Sequence, residues 1–331
     1  MPTSASEKKN NPSGEAAAFF SKVLLLVNPA AGARSKRKKL DRIIEDLRRI
    51  SDHLEVVYTA AALDATRLVK ERRNGAWTLL LCAGGDGTIN EVVNGLMDED
   101  GASPPPLGIL PTGTGNGLAR EIGLPLDPWS AYQRLLNGRV ETIYPGKVVL
   151  EPKGGEPQKP TRYYLLLAGV GFDAFVVEWV ERRSVFFRKL PKLWVYILFG
   201  MVALFFYPYP SLRFSINGRL LTGSGGVVAK ARLVAGPLTF APSARLGAPA
   251  FSFCLLPQRG LFGYLRLLFQ LLLTGTPGCC IEYHSGTELK ALDGAGWVEA
   301  DGELLGPLPA TFTLAEKPLQ LIYPSGRSAQ S

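Results

Sequence analysis

The chain has 331 residues, of which 46% are hydrophobic and 20% are charged, so it is expected to fold as a globular protein and not to be disordered. Its net charge of +8 at pH 7 favours anionic partners such as nucleotides or acidic lipid headgroups. It contains only two histidines and four cysteines, with no C-x-x-C pair, which argues against a histidine-based catalytic triad and a cysteine metal site.

Residues 1–15 are polar, and no apolar stretch as long as the core of a signal peptide precedes Val23. Residues 1–20 are therefore predicted to be a disordered tail and not a secretion signal. The four cysteines are interpreted as reduced thiols, so the protein is expected in the cytoplasm.

Residues 21–145 contain short apolar segments that alternate with segments of helical periodicity. This alternation is typical of a parallel sheet with right-handed crossovers, so we predict an α/β domain with a doubly wound parallel sheet. Ligands bind such sheets at the carboxyl ends of the strands. The predicted strands are residues 23–27, 54–58, 78–82 and 107–110, separated by helices over residues 40–50, 63–73 and 89–97.

A glycine-rich turn follows the third predicted strand. Its three glycines let backbone N–H groups approach an anion, and the helix that begins near Thr88 adds its positive N-terminal end. The carboxylate of Asp86 would repel phosphate unless it binds Mg²⁺, directly or through water, or accepts a proton from an attacking hydroxyl. A tight turn in which Asp86 caps the helix explains these residues equally well. The turn consists of Gly84, Gly85, Asp86, Gly87 and Thr88.

A second glycine-rich turn follows the fourth predicted strand and also precedes a helix. Two such turns at neighbouring strand ends favour a two-sided phosphate clamp over a structural coincidence. Neither turn has the G-x-x-x-x-G-K-[ST] pattern of a Walker A loop. The second turn contains Thr112, Gly113, Thr114, Gly115 and Asn116.

The pattern changes after residue 146, where segments of strand composition follow one another between glycine, proline and asparagine turns. We therefore predict a β-rich, sandwich-like second domain over residues 146–325, interrupted by a helix over residues 174–183. Two further segments, 193–206 and 261–273, are unusually apolar but shorter than the about 20 residues that span a bilayer. The predicted strands are residues 163–169, 211–216, 227–234, 250–256, 278–283, 288–292, 297–300 and 310–314.

Five blocks of sequence resemble the diacylglycerol kinase catalytic family, which includes diacylglycerol, sphingosine and ceramide kinases and bacterial lipid kinases. The blocks occur in the family's order. The Gly-Gly-Asp-Gly block is shared with NAD kinases and phosphofructokinases, so the other blocks make the resemblance specific. The five blocks are residues 26–32, 84–95, 107–116, 168–174 and 301–303.

The resemblance implies an ATP-dependent lipid kinase that uses Mg²⁺ and phosphorylates a hydroxyl of a sphingoid base or a diacylglycerol-like lipid. It implies that Asp86 is catalytic and binds magnesium, and that Asp301 and Glu303 complete the site from a lipid-binding second domain. Asp86 is the first choice for the base and Glu303 the second, while Asp173 would bind the acceptor headgroup. The implied nucleotide-binding residues are Asn28, Gly84, Gly85, Gly87, Thr88, Thr112, Gly113, Thr114 and Asn116.

The chain departs from bacterial diacylglycerol kinases at three places. Gly117, Tyr144 and residues 247–249 stand where that branch usually has acidic residues, two of which belong to an outer magnesium network. Their loss makes the second turn more similar to that of sphingosine kinases.

The two apolar segments allow two interpretations. Five basic residues precede the first segment, and this combination suits a surface that enters an anionic leaflet, so peripheral contact with the inner membrane face is expected. A buried core helix explains each segment equally well. The chain is not expected to bind nucleic acid, since no aromatic residues accompany its basic run at residues 34–39. The five basic residues are Arg182, Arg183, Arg188, Lys189 and Lys192.

Two other functions remain open at this point. An NAD kinase-like enzyme explains the first glycine turn, but it does not explain residues 171–173 or the apolar segments. A catalytically weak lipid- or nucleotide-binding protein on the same fold explains Gly117 and Tyr144. The presence of Asp86, Asp301 and Glu303 argues against it.

Overall fold

A computed structural model describes seven parts of the chain: residues 19–32, 34–97, 103–152, 161–183, 192–233, 238–256 and 260–325. Residues 1–18 of the predicted tail lie outside the described parts. The predicted tail is too long at its end, because Phe20 is buried in the first hydrophobic core.

The first sheet has six strands in the order β2-β1-β3-β4-β18-β5. The first five are parallel neighbours, and β5 is antiparallel to β18. The predicted parallel sheet is thus confirmed. Its strands are β1 (Lys22–Val27), β2 (His53–Tyr58), β3 (Leu79–Gly84), β4 (Leu107–Pro111), β5 (Arg139–Ile143) and β18 (Leu319–Tyr323).

Helices cover both faces of this sheet. The chain moves outward from β1 to β2 and then returns past β1 to β3, so right-handed crossovers place α1 on one face and α2 and α3 on the other. The direction of winding changes between β1 and β3, where such sheets bind ligands. The helices are α1 (Arg34–Ile50), α2 (Asp64–Arg72), α3 (Asp86–Leu96), α4 (Gly117–Glu121) and α5 (Pro128–Leu135).

Because both faces are covered, the central strands of this sheet are apolar along their whole length. Residues 23–27 of β1 and all six residues of β3 are buried. From α1, apolar residues at helical spacing complete this core: Leu40, Ile43, Ile44 and Leu47.

The second domain is a sandwich of two antiparallel six-stranded sheets, as predicted. The second sheet has the order β10-β9-β14-β17-β6-β7, and the third has the order β13-β12-β11-β8-β15-β16. Phe214 and Phe253 meet between these sheets with ring centroids 5.1 Å apart. The strands are β6 (Gly146–Leu150), β7 (Arg162–Tyr164), β8 (Leu167–Val170), β9 (Leu212–Ile216), β10 (Arg219–Gly223), β11 (Gly225–Ala229), β12 (Phe251–Leu256), β13 (Glu282–Gly286), β14 (Glu288–Asp293), β15 (Trp297–Ala300), β16 (Glu303–Pro307) and β17 (Ala310–Leu314).

Three helices lie against the outer face of the third sheet: α6 (Phe172–Arg183), α7 (Lys192–Phe206) and α8 (Gly260–Thr274). The two apolar segments of the sequence are therefore α7 and α8. Within the described parts of the chain, no helix combines the length and the apolar character that crossing a membrane requires.

Several segments differ from the sequence-based expectations. The predicted strand over residues 278–283 begins as a 3-10 helix (Gly278–Cys280), and β13 starts only at Glu282. The predicted strand over residues 163–169 is two strands in different sheets, β7 and β8, because the chain turns sharply between them. β18, which was assigned to the second domain, pairs with β4 and β5 in the first sheet. The last strand of the chain thus belongs to the first domain. A single domain boundary at residue 146 does not describe this return.

Candidate active site

The two glycine-rich turns lie side by side at the carboxyl ends of β3 and β4. The backbone N–H groups of Thr112 and Gly113 both donate to the carbonyl oxygen of Gly84, at 3.0 and 3.3 Å. A Cβ atom on Gly113 would lie 2.5 Å from the Cα of Gly85, so glycine is needed for this contact. The turns therefore form one continuous backbone surface.

Two buried polar atoms of the second turn have no hydrogen-bond partner among the described residues: Thr112 Oγ1 and Asn116 Oδ1. The Asn116 amide is fixed at its other end, where Nδ2 donates to the Gly113 carbonyl at 2.9 Å. Unpaired buried polar groups are costly, and at a ligand site they are explained by a bound partner. A phosphate oxygen would accept from the Thr112 hydroxyl, and the Asn116 oxygen would accept from water or a ribose hydroxyl.

Asn28 connects the loop after β1 to the start of α3. Its Nδ2 donates to Thr88 Oγ1 at 2.8 Å, and its Oδ1 accepts from the Ala30 N–H at 2.9 Å. Thr88 fits beneath Gly84 because a Cβ atom there would lie 2.5 Å from the Cβ of Thr88. Asn28 and Thr88 thus hold the first turn in shape at the point where the sheet changes direction.

Asp86 is the first residue of α3, and Gly85, not Asp86, is the N-cap. Its side chain extends toward the second turn, where Oδ1 accepts from the Leu118 N–H at 3.2 Å. Because Leu118 lies at the start of α4, the carboxylate lies between the two turns. The helix-cap interpretation of Asp86 is therefore not needed to explain its position.

Lys36 of α1 is a cation beside the second turn that sequence analysis did not assign. Its ammonium donates to the carbonyls of Pro111, Thr112 and Gly113 at 3.3, 3.1 and 3.1 Å. Partial burial lowers the pKa of Lys36, which the negative charge of Asp127 partly offsets. Lys36 thus fixes the turn that holds Thr112.

Gly87 and Thr114 lie on the exposed rim of the two turns. Apart from its chain neighbours and the backbone of its own helix, no heavy atom of the described residues lies within 4 Å of where a Cβ atom of Gly87 would be, so packing does not require this glycine. Open space here leaves the first N–H groups of α3 accessible, and these groups have no carbonyl partner within a helix.

Asp301 receives four hydrogen bonds on its carboxylate. Three come from the backbone N–H groups of residues 165–167, at 2.8, 2.9 and 3.1 Å, and the fourth from Asn90 Nδ2 at 2.9 Å. Burial raises the pKa of Asp301, and these four donors oppose the rise. Residues 165–167 form the turn between β7 and β8, so Asp301 satisfies the N–H groups that leave the sheets there.

The helix α3 connects Asn90, which contacts Asp301, to Asp86 in the first turn. Asp86, Asn90 and Asn94 are spaced four residues apart and lie on one face of α3. Asn90 and Asn94 both donate to the carbonyl of Tyr163, each at 3.0 Å. One turn of helix, about 5.4 Å along its axis, separates Asn90 from Asp86. Asp301 is thereby positioned close to the two glycine-rich turns, although its carboxylate oxygens already have hydrogen-bond partners.

Glu303 forms an ion pair with Arg162 of β7 and is about half exposed. Both residues line a cavity of about 260 Å³ together with Leu63 of the first domain. Arg162 was not found from the sequence, because nothing in its local sequence marks it as the partner of an acid 141 residues away.

Asp173 lies at the start of α6 beside a second acid, Glu299 of β15. The two side chains interact directly, and burial raises the pKa of both. Asp173, Glu299 and Asp301 are called the acid cluster below. The sequence predicted two of its members and gave no signal for Glu299.

A magnesium ion fits this site only if the nucleotide supplies part of its coordination. In the parts of the chain that are described, no three His, Cys, Asp or Glu side chains are grouped so that they could hold a metal. Mg²⁺ is commonly bound by one or two carboxylates, water and the phosphates of a nucleotide, and Asp86 can provide one such carboxylate.

The family model that matches this chain is the diacylglycerol kinase catalytic domain, over residues 22–148. This match covers both glycine turns and Asp86. It confirms the family resemblance and the predicted class of enzyme, a lipid kinase.

Relatives of the kinase domain extend over both domains of the chain. A diacylglycerol kinase of Bacillus subtilis is 28% identical over 318 residues, which cover 92% of this chain and 97% of that protein. One from Staphylococcus carnosus is 24% identical and covers 91% of this chain and 94% of its own length. A crystal structure of a diacylglycerol kinase from Bacillus anthracis has a TM-score of 0.71 at 21% identity, with 92% and 98% of the two chains covered. That structure supports the fold.

Proposed function

We propose that the protein transfers the γ-phosphate of ATP to a hydroxyl of a lipid acceptor, with Mg²⁺ held at Asp86. The observation that carries this proposal is the joined pair of glycine turns, with Asp86 between them. The unpaired oxygens of Thr112 and Asn116 lie on the same surface and would be satisfied by a bound nucleotide. Phosphoryl transfer depends on positioning and charge neutralisation, which backbone N–H groups and one carboxylate can supply.

Asp86 is proposed to hold Mg²⁺ and to accept the proton of the attacking hydroxyl. Among the described residues its one hydrogen-bond donor is the Leu118 N–H, which leaves its other oxygen for a ligand. Bound Mg²⁺ would neutralise phosphate charge in the transition state. Glu303 is the second choice for the base, but its carboxylate is already paired with Arg162.

Asp301 is proposed to position the site and not to react. Four donors occupy its carboxylate, and releasing them would expose unsatisfied N–H groups at the turn between β7 and β8. Its proposed role is to hold the second domain against α3. Asp173 is proposed to meet the acceptor headgroup, as the family resemblance implies.

The acceptor is proposed to be a sphingoid base or a diacylglycerol-like lipid that the protein reaches at the inner membrane face. Support comes from α7 and α8, which contact each other and expose apolar side chains on their outer faces. Neither helix contains an acidic residue. Their inner faces are fixed by Phe199, Ala203, Leu204 and Tyr264, which are buried. The exposed residues are Leu198, Met201, Val202, Phe205, Phe206, Phe262, Phe269, Leu272 and Leu273.

This apolar surface is linked to the proposed acceptor site. Phe172, the neighbour of Asp173, packs against Tyr207 and Tyr264 with ring centroids 5.3 and 5.0 Å apart. Tyr207 follows α7, and Tyr264 is the buried residue of α8. The aromatic cluster of Phe172, Tyr207 and Tyr264 thus connects α7 and α8 to the start of α6, where Asp173 lies. The five basic residues from Arg182 to Lys192 lie outside the residues whose side chains are described.

The reaction is tested with labelled ATP, Mg²⁺ and a panel of sphingoid base, ceramide, diacylglycerol, monoacylglycerol and phosphatidylglycerol. Label is expected in one of these lipids with the wild-type protein and not with Asp86→Asn. Absence of label from every lipid would contradict the kinase proposal. Label in added NAD would support an NAD kinase-like enzyme instead.

The membrane contact is tested by sedimentation with vesicles of phosphatidylcholine with and without phosphatidylglycerol. Phe269 and Leu273 are 65% and 68% exposed, and replacing both with serine should weaken binding about tenfold or more. Leu220→Ser is the matched control, since Leu220 is 69% exposed but lies on β10 of the second sheet. If the Phe269/Leu273 double variant binds vesicles as well as Leu220→Ser does, α8 does not contribute to membrane binding.

A further inference from the structure

Glu299 is a buried acid that the proposed reaction does not use. It lies on β15 with 1% of its surface exposed, directly opposite Gly169 of β8 in the third sheet. Burying a carboxylate without compensation is unfavourable, so the contacts of this side chain should explain its presence.

One oxygen of Glu299 fixes the turn that carries two of the proposed site residues. Oε2 accepts from the backbone N–H of Gly302 at 2.8 Å. Gly302 lies between Asp301 and Glu303, and both Asp301 and Gly302 have positive φ angles, 47° and 83°. Such a turn needs outside support, because a non-glycine residue in this conformation is strained.

The other oxygen of Glu299 faces Asp173. A Cβ atom on Gly169 would lie 2.5 Å from Asp173 Oδ2 and 2.8 Å from Glu299 Oε1, so the missing side chain provides the space where the two carboxyl groups meet. Among the described residues, no N–H or hydroxyl group donates to Glu299 Oε1. Two adjacent carboxylates repel each other, whereas a single proton between them makes a hydrogen bond.

We infer that Glu299 carries a proton in the resting protein and acts as a positioning residue for Asp173 and the Asp301–Glu303 turn. Its protonated Oε1 donates to the Asp173 carboxylate, and its Oε2 accepts from Gly302. The inference rests on the proposed function for one step, the contact of Asp173 with the acceptor. Asp173 then keeps its negative charge and its orientation, while the same glutamate holds the neighbouring turn.

The charges around Glu299 agree with this protonation. Burial, followed by the charge of Asp173, raises the pKa of Glu299 well above its ordinary value. The titratable groups that face it are Asp173 from α6, Asp301 from the turn after β15 and Tyr164 from β7. Each of these groups is neutral or negative, so none of them stabilises an ionised Glu299.

The first experiment does not depend on activity. With a raised pKa, Glu299 binds a proton more tightly in the folded protein than in the unfolded chain, so the stability of the wild-type protein falls as pH rises from about 5 to about 8. Glu299→Gln keeps the shape and a donor but does not titrate, so its urea midpoint should fall less over this range. Glu288→Gln, at an exposed glutamate of β14, should behave as wild type. Equal pH dependence of Glu299→Gln and wild type would overturn the inference.

The second experiment separates positioning from packing through kinetics. Glu299→Gln should keep kcat/KM for the lipid acceptor within about threefold of wild type near neutral pH, and it should lose less activity at alkaline pH. Glu299→Met removes both hydrogen bonds and should lower kcat/KM for the acceptor about tenfold or more, with KM for ATP unchanged.

Two outcomes would contradict the inference: a folded Glu299→Gln protein as inactive as Glu299→Met, or a fully active Glu299→Met. If the wild-type protein phosphorylates no lipid, the proposed function fails, and the stability measurement still decides whether Glu299 is protonated.

Discussion

Asp86 of the glycine-rich turns and Asn90, which donates to Asp301 of the acid cluster, lie about one helical turn apart on α3. Among the described residues, Thr112 Oγ1 and Asn116 Oδ1 of the turns have no hydrogen-bond partner, and the carboxylate of Asp86 has one donor. In the acid cluster, the carboxylate of Asp301 has four donors, and Glu299 accepts from Gly302 through Oε2 while its Oε1 faces Asp173.

We propose that this contrast separates residues that bind a ligand from residues that shape the site. A carboxylate with four protein donors would lose them on binding a metal or a proton, so it is better suited to hold two domains together. A carboxylate with one donor keeps its capacity for a ligand. We therefore expect changes in the turns to affect catalysis first, and changes in the acid cluster to affect stability first.

The largest effect is expected for Asp86→Asn. Steady-state kinetics should show a loss in kcat of about a thousandfold, because the variant lacks the charge that holds Mg²⁺ and accepts a proton. The thermal midpoint should change little, since an asparagine oxygen can still accept from the Leu118 N–H. Activity close to wild type would remove Asp86 from the mechanism.

Asp301→Asn should lower stability more than it lowers catalysis. An amide has one acceptor oxygen where the carboxylate has two, so N–H groups of residues 165–167 are left unpaired and stability should fall by about 2–3 kcal/mol in urea denaturation. The control is Asp293→Asn, an exposed aspartate paired with Arg213 on the second sheet, which should cost less than about 1 kcal/mol. If the two variants are equally stable, Asp301 does not hold the domains together.

Gly113→Ala should affect both nucleotide binding and stability. Its methyl group would lie 2.5 Å from the Cα of Gly85, so the two turns must separate. We expect KM for ATP to rise about tenfold and stability to fall by about 1–2 kcal/mol, measured by kinetics and urea denaturation on the same preparation. An unchanged KM would show that the nucleotide does not use this contact.

Gly87→Ala is the smallest predicted change and the matched control for Gly113→Ala. Its methyl group would meet no described atom within 4 Å outside its own helix backbone and chain neighbours. Alanine also favours the helix that begins here, so stability should stay equal or rise by up to about 1 kcal/mol. KM for ATP should still rise a few-fold if phosphate approaches this end of α3. A loss of stability would show that Gly87 serves the fold instead.

Much of the fold followed from periodicity alone. Strands β1 to β4 and the helices between them could be predicted because a buried parallel strand is apolar throughout and a covering helix is apolar on one face. The segment at residues 163–169 could not, since its composition suits a strand along its whole length. It is divided by Asp301, more than 130 residues away, which binds its N–H groups.

The sequence by itself determined where the two glycine-rich turns lie. Their glycines, threonines and Asp86 are contiguous, and each turn follows a strand of the same sheet, so local order was enough to bring them together. Only the tertiary structure decided the rest. Lys36, Arg162 and Glu299 act on residues far away in the chain, and α7 and α8 are amphipathic in exposure although they are apolar in composition. Which polar group meets which, and which apolar face stays uncovered, depends on packing between segments that no local pattern encodes.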